Sequence, residues 1–232
     1  MIFTAFGRAV SQASDPRFLR VLLLGVGLTL GLLIAITALF VWGVNWLLPD
    51  TFSMPWIGEI SWVDDVASAG SIFLMLVLSV FLMIPVASAF TGIFLEDVAA
   101  AVESRYYPHL PGVPRIPWSD ALRDSLAFLG VIVAVNLVAL VLYFFVGPFA
   151  PLLFWAVNGF LLGREYFQLV AMRRLGRKGA IAARKRHSAT IWAAGILMAA
   201  PLSIPVVNLF VPILGAATFT HIFHALERPA GD

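Results

Sequence analysis

Two arginines three residues apart, Arg17 and Arg20, follow directly on Asp15-Pro16. Asp before Pro marks a helix start, with the carboxylate as cap and Pro at the first helical position, where its missing N–H costs nothing. A helix amino end carries free N–H groups and the positive end of the backbone dipole. Guanidinium groups beside it add charge-assisted hydrogen bonds. What this spacing establishes by itself is a positively charged helix start. A second set is Glu96, Arg164 and Glu165, each standing where an uncharged run ends. Charges at that depth either line an ion path, form a cross-helix pair (Glu96 with Arg164 foremost), or reach out to water as boundary residues. Arg164 and Glu165 are adjacent and do not share a helix face, so each needs its own partner.

Other polar residues read more simply. Asn136, Asn158 and Asn208 lie inside apolar runs, where hydrogen bonding between helices is the expected role; Asn208 also suits the closing of a turn. His221 and His224 are three apart on one helix. Such a pair can bind metal or haem, but only Glu227 stands near as a further ligand, and the expected role is that of interface residues. No metal or other cofactor is expected. The chain has no cysteine, which excludes disulfides and thiolate-ligated metals. It contains no Ser-His-Asp arrangement, phosphate-binding loop or dinucleotide fingerprint, so an enzyme is not expected. The seven Trp are placed as interface anchors, and nothing points to nucleic acid.

The elements that must position these residues are apolar. Of 232 residues, 61% are hydrophobic and 12% charged, against about 25% charged in soluble domains. Mean hydropathy is +0.95. This is the composition of an all-α integral membrane protein, read as a single membrane domain over 1–232 because no polar linker divides it. Met1 to Arg20 contains Arg8, Asp15 and Arg17 and lacks the continuous apolar core expected of a cleavable signal, and residues 1–15 recur apolar with the spacing of a short interfacial helix. Residues 16–49 and 66–107 predict two long transmembrane helices, the second kinked at Pro85 and projecting beyond the membrane after Glu96. Gly27 and Gly31 form a small-xxx-small pair that permits close helix contact. A proline-rich connection follows, and Ser119 is the expected cap of the next helix.

Residues 119–175 and 188–227 each read as a hairpin with a proline tip. Pro148 and Pro151 mark the first tip, and Pro201, Pro205 and Asn208 the second. Their short uncharged arms, Leu152 to Gly163 and Ala189 to Ala200, cover only about 18 Å as helix, less than a ~30 Å hydrocarbon core. Partly penetrating hairpins are therefore expected. Unpaired backbone at such tips is costly in lipid unless protein or water covers it, which predicts a homo-oligomer or a water-filled cavity.

All fifteen Lys and Arg lie in the N-terminal segment, between Glu96 and Asp124, between Arg164 and Arg186, or at Arg228. None lies in Asp50–Asp65 or at either tip. The positive-inside rule then places both termini and both basic connections in the cytoplasm. The Arg164–Arg186 segment reads as an anchor on anionic lipid, compatible with anion attraction.

Four patches carry a resemblance to a known family. They are Asp15-Pro16-Arg17-Phe18-Leu19-Arg20-Val21-Leu22-Leu23; Phe90-x-Gly92-x-x-x-Glu96; Pro151-Leu152-Leu153-Phe154-Trp155 through Leu162 and Tyr166; and Ile204-Pro205-Val206-Val207-Asn208-Leu209-Phe210-Val211-Pro212 followed by Gly215-Ala216-Ala217-Thr218. In these the chain resembles the CysZ family of bacterial inner-membrane sulfate permeases. The resemblance implies two spanning helices, two partly penetrating hairpins, an oligomer, and sulfate uptake without ATP hydrolysis for cysteine synthesis. The family's sulfate site resembles a Pro-Gly-Leu-Arg-Arg entry to the first long helix. Here Pro16 and Arg20 match, while Arg17 holds the Gly position and Leu19 the first Arg position; the resemblance thus implies capture of an oxyanion by Arg17 and Arg20 at the helix amino end. A non-transporting protein that shapes the bilayer or assists another system is the alternative.

Overall fold

The computed structural model describes residues 1–47, 53–54, 58–59, 94–113, 116–204, 207 and 210–227. They fall into two compact units, Leu24–Ala87 and Met1–Leu23 with Ser88–Asp232. Helix α2, Pro16–Leu47, starts at the proline the sequence names. The Asp15 carboxylate accepts the Arg17 backbone N–H at 2.9 Å, the capping bond expected there. The 32 residues of α2 extend about 48 Å. In the unit Leu24–Ala87, Ser53–Met54 (β1) pairs antiparallel with Gly58–Glu59 (β2), a two-residue ladder inside the polar loop. Most of the second long apolar run, including Pro85, lies outside the described residues. At Gly27 and Gly31 an added Cβ would meet nothing within 4 Å among the described residues.

The other unit is helical. Its elements are α1 (Ile2–Ser11), the first turns of α2, α3 (Glu96–Tyr106), α4 (Trp118–Val146), α5 (Ala150–Arg186), α6 (Ser188–Ala199) and α7 (Val211–Leu226). Helix α4 begins one residue ahead of Ser119, with Pro117 at the cap position, so Ser119 is inside the helix and not its cap. The first tip is where the prolines put it. Gly147, at φ +51°, turns the chain into the short 3-10 segment Gly147–Phe149, and α5 starts beyond it. Pro148 and Pro151 are both exposed there. Helix α5 does not stop at Gly163. It continues to Gly176, whose φ of +65° breaks the helix and turns its last ten residues. At the second tip, Pro201 lies in the 3-10 segment Ala200–Ser203; Pro205 and Asn208 lie outside the described residues.

Helix α5 packs against α4, α6 and α7, and α7 also against α1 and α3. Small residues set the closest approaches. A Cβ at Gly195 of α6 would run into the Gly159 carbonyl of α5, and one at Gly215 of α7 into the Tyr166 ring. The Trp192 indole N–H donates to the Ala156 carbonyl at 2.9 Å, a further tie between α6 and α5. Helix α7 is the centre: Ile213 and every residue from Gly215 to Phe223 are buried. Helix α4 has only Ala139 buried, with Phe144 89% and Phe145 81% exposed. An 18-residue window in the α4–α5 stretch reaches a mean hydropathy of 2.7 with 6% of it buried, the profile of a lipid-facing span.

Candidate functional site

A cavity of about 70 Å³ opens at the foot of the α4–α5 hairpin, room for several waters or one small oxyanion. Its charged lining comes from three helices: Glu96 of α3, Asp124 of α4, and Arg164 and Glu165 of α5. Helical spacing aims them. Asp124 and Phe128 are four apart, as are Arg164 and Gln168, so each pair shares a face. The Arg164 guanidinium lies 5.4 Å from the centroid of the Phe128 ring, a cation–π distance. Gln168, 5% exposed, connects two charges. Its Nε2 donates to Asp124 Oδ1 at 3.4 Å, and its Oε1 accepts from Arg184 Nε at 3.2 Å. Arg177 Nε stands 3.8 Å from the same Asp124 oxygen, an ion pair too long for a hydrogen bond.

Arg184 reaches Gln168 only because Gly176 turns the helix. The two are sixteen residues apart, about 24 Å along a straight helix. Three guanidiniums (Arg164, Arg177, Arg184) thus act on Asp124, while Glu96 and Glu165 bring two more carboxylates. Among the described residues neither Arg164 nor Glu165 belongs to an ion pair. Glu96, Arg164 and Glu165 therefore meet at one cavity, as the sequence allowed, although Arg164 and Glu165 leave their helix in different directions.

The α2 entry is a separate place. Arg17 and Arg20 are exposed and are not among the cavity's lining residues. Arg17 donates to Ser104 Oγ at 2.9 Å, and buried Gln12 donates to Asp15 Oδ2 at 3.1 Å. The Arg17 amide, then the Gln12 side chain, hold the Asp15 carboxyl below its ordinary value, against burial that raises it. Asp15 thus already occupies the Arg17 N–H, and an anion here would rest on the two side chains.

A second charged cluster has a structural role. Glu103 of α3 is buried and accepts from Arg173 at 3.3 Å, Arg174 Nε at 3.0 Å and His224 Nε2 at 3.0 Å. Arg174 also donates to the Pro111 carbonyl at 2.6 Å. Burial pushes the Glu103 carboxyl up, but the hydrogen bonds from His224 and Arg174 and the charges of Arg173 and Arg174 outweigh it and bring it down to about 2. Four of the eight cations in the basic segment, Arg173, Arg174, Arg177 and Arg186, are held in ion pairs, the last with Glu227. Among the described residues, half of the segment's cations are thus tied up within the fold, while Lys178 and Lys185 are exposed.

Two expectations fail here. His221 is buried and His224 half-buried, packed against Tyr107 in the helical core, so neither is an interface residue. Asn136 and Asn158 donate at 2.9 Å to Ile132 and Phe154 of their own helices, four residues back, where the nearest carbonyl is in reach. Sequence reasoning missed Asp124, Gln168 and Glu103. The signal for Glu103 was present: it follows Glu96 by seven residues, on the same face, among Val98, Ala99 and Val102.

The family model described as Sulfate transporter CysZ/Etoposide-induced protein 2.4 matches residues 5–212. The chain belongs to this family. The match takes in α1 to α6, the cavity, and the α2 entry, and it ends at the start of α7. No curated protein matches the chain. With the lipid-facing α4–α5 stretch, the family makes this a membrane protein of a transporter-type family.

Proposed function

We propose that the protein conducts sulfate, or a closely related inorganic oxyanion, across the bacterial inner membrane. It works without ATP hydrolysis, as a channel or permease in a homo-oligomer, and feeds cysteine synthesis. The observation that carries this reading is Arg164, free of ion pairs among the described residues, facing a water-sized cavity at the foot of a lipid-exposed hairpin. Arg17 and Arg20 capture the anion at the surface, and Arg164 lines the path between subunits. Both termini and both basic connections lie in the cytoplasm, where the basic face also meets anionic lipid. Partners covering the exposed face of α4 complete the path.

The test is sulfate uptake into proteoliposomes by Arg20→Ala and Arg164→Ala, each with an unchanged helical circular dichroism spectrum. The expected result is uptake at least tenfold slower in both. Wild-type rates in both variants would reject the assignment. A second reading, a membrane protein that shapes the bilayer or assists another system without transporting, draws on the short arms. At 12 and 16 residues, α6 and α7 reach only about 18 and 24 Å. It predicts an oligomer without a polar lumen.

A further inference from the structure

We propose that a second cavity, between α1 and α7, is an oxyanion site of its own that takes a phosphate group. The cavity has a volume of about 200 Å³ and is lined by Thr4 and Arg8 of α1, Tyr107, and His221 of α7 among others. No carboxylate among the described residues lines it. Alanines on α1 let the two helices come together, with Ala5 and Ala9 buried against α7. Arg8 lies 6.0 Å from the Tyr106 ring centroid, and no ion pair engages it among the described residues.

His221 supplies the second donor. It is 2% exposed, and its Nδ1 is 3.0 Å from the Tyr107 hydroxyl. A phenol is a better donor than acceptor, so Tyr107 donates to Nδ1 and the ring proton sits on Nε2. That Nε2 is buried without a partner among the described residues. The Tyr106 ring, edge-on at 4.8 Å, holds the imidazole in place. A buried N–H without an acceptor is costly and points to a missing one. One guanidinium, one imidazole N–H and the Thr4 hydroxyl, with no carboxylate among them, suit a tetrahedral oxyanion.

The phosphate can come from two sources. Phe3, 79% exposed, and Val10 lie on the outer side of α1. On a membrane surface they would set the cavity at headgroup depth. A lipid headgroup and free inorganic phosphate offer the same chemistry, and the experiment separates them. This proposal stands apart from the transport reading, which uses other residues.

Detergent-purified full-length protein is titrated with inorganic phosphate by thermal unfolding. In parallel it is mixed with phosphatidylglycerol, or with diacylglycerol as the phosphate-free control, and followed by native mass spectrometry. Binding of inorganic phosphate identifies a soluble ligand; retention of phosphatidylglycerol alone identifies a headgroup. In either case Arg8→Gln, at an exposed position that leaves the fold intact, weakens binding tenfold or more. His221→Gln, which keeps an N–H near the Nε2 position, stays within about threefold of wild type. Arg20→Ala, which removes a residue of the α2 entry, leaves the Arg8-dependent binding in place. The proposal is overturned if neither phosphate ligand binds, if diacylglycerol is retained equally, if Arg8→Gln binds like wild type, or if Arg20→Ala is the variant that loses binding.

Discussion

Helices α4 beyond Asp124 and α7 are alike in composition and opposite in place. Both lack Lys, Arg, Asp and Glu, and both are apolar on every side. Yet α4 buries only Ala139, while α7 is buried from Gly215 through Phe223. The difference is residue size. Helix α7 carries Gly215-Ala216-Ala217-Thr218 and Thr220, which let α1, α3 and α5 come within backbone reach. Helix α4 carries Leu, Val, Tyr and Phe side chains that stand out from it. In lipid, where hydrophobicity does not distinguish neighbour from solvent, small residues mark the packed helix.

The strongest way to break this contrast is to place bulk where backbones touch. Gly195→Val puts a side chain into the α5 backbone at Gly159. Ordinary overpacking costs about 1–3 kcal/mol; here the obstacle is backbone, which cannot swing away, and loss of folded protein on size-exclusion chromatography is expected. A native-like elution profile and melting temperature would show that α6 can retreat from α5.

Next comes the brace that ties α7 to α3. Glu103→Gln leaves Arg173 and Arg174 buried without their carboxylate and should destabilise by about 3–5 kcal/mol, read by chemical denaturation in detergent. The pH dependence has a fixed sign. Because the folded-state value is held down to about 2 from an ordinary 4.5, this stabilisation is fully present above pH 4.5. It is lost as the pH falls through about 2, where the folded state binds the proton too. Wild type should weaken across that window, and Glu103→Gln should lack this component. The smallest expected effect is on the other side of the comparison. Phe144→Ala, on the exposed face of α4, should change monomer stability by no more than about 0.5 kcal/mol. A loss of several times that in the dissociated monomer would mean that this face of α4 packs against the chain's own helices.

Much of the fold was legible because proline and glycine punctuate a helix whatever solvent surrounds it. Asp15-Pro16 starts α2, Gly147-Pro148 turns the first hairpin, and Pro201 lies in the segment that ends α6. The Gly176 break was not legible. It sits in a basic stretch without proline, and only its φ of +65° reveals it. That break brings Arg184 back to Gln168 and Asp124, so this part of the candidate site was hidden with it. Glu96, Arg164 and Glu165 were found because a charge at the end of an apolar run is conspicuous. Glu103 was missed although its spacing of seven from Glu96, on the face of Val98, Ala99 and Val102, signals a buried carboxylate; its chain neighbours Ser104 and Arg105 gave it the look of a solvated one. In the basic segment, charge placement along the chain bears on which side of the membrane it lies, not on which guanidiniums are already paired.

The most direct test of the central claim is anion flux through the wild-type protein. Sealed proteoliposomes are loaded with each of several inorganic oxyanions in turn, sulfate among them, and uptake of radiolabelled sulfate is followed with no ATP present. The account predicts sulfate entry well above protein-free vesicles, slowed by competing oxyanions and lost in Arg164→Ala. Uptake no faster than in protein-free vesicles, with the oligomer intact, would contradict it.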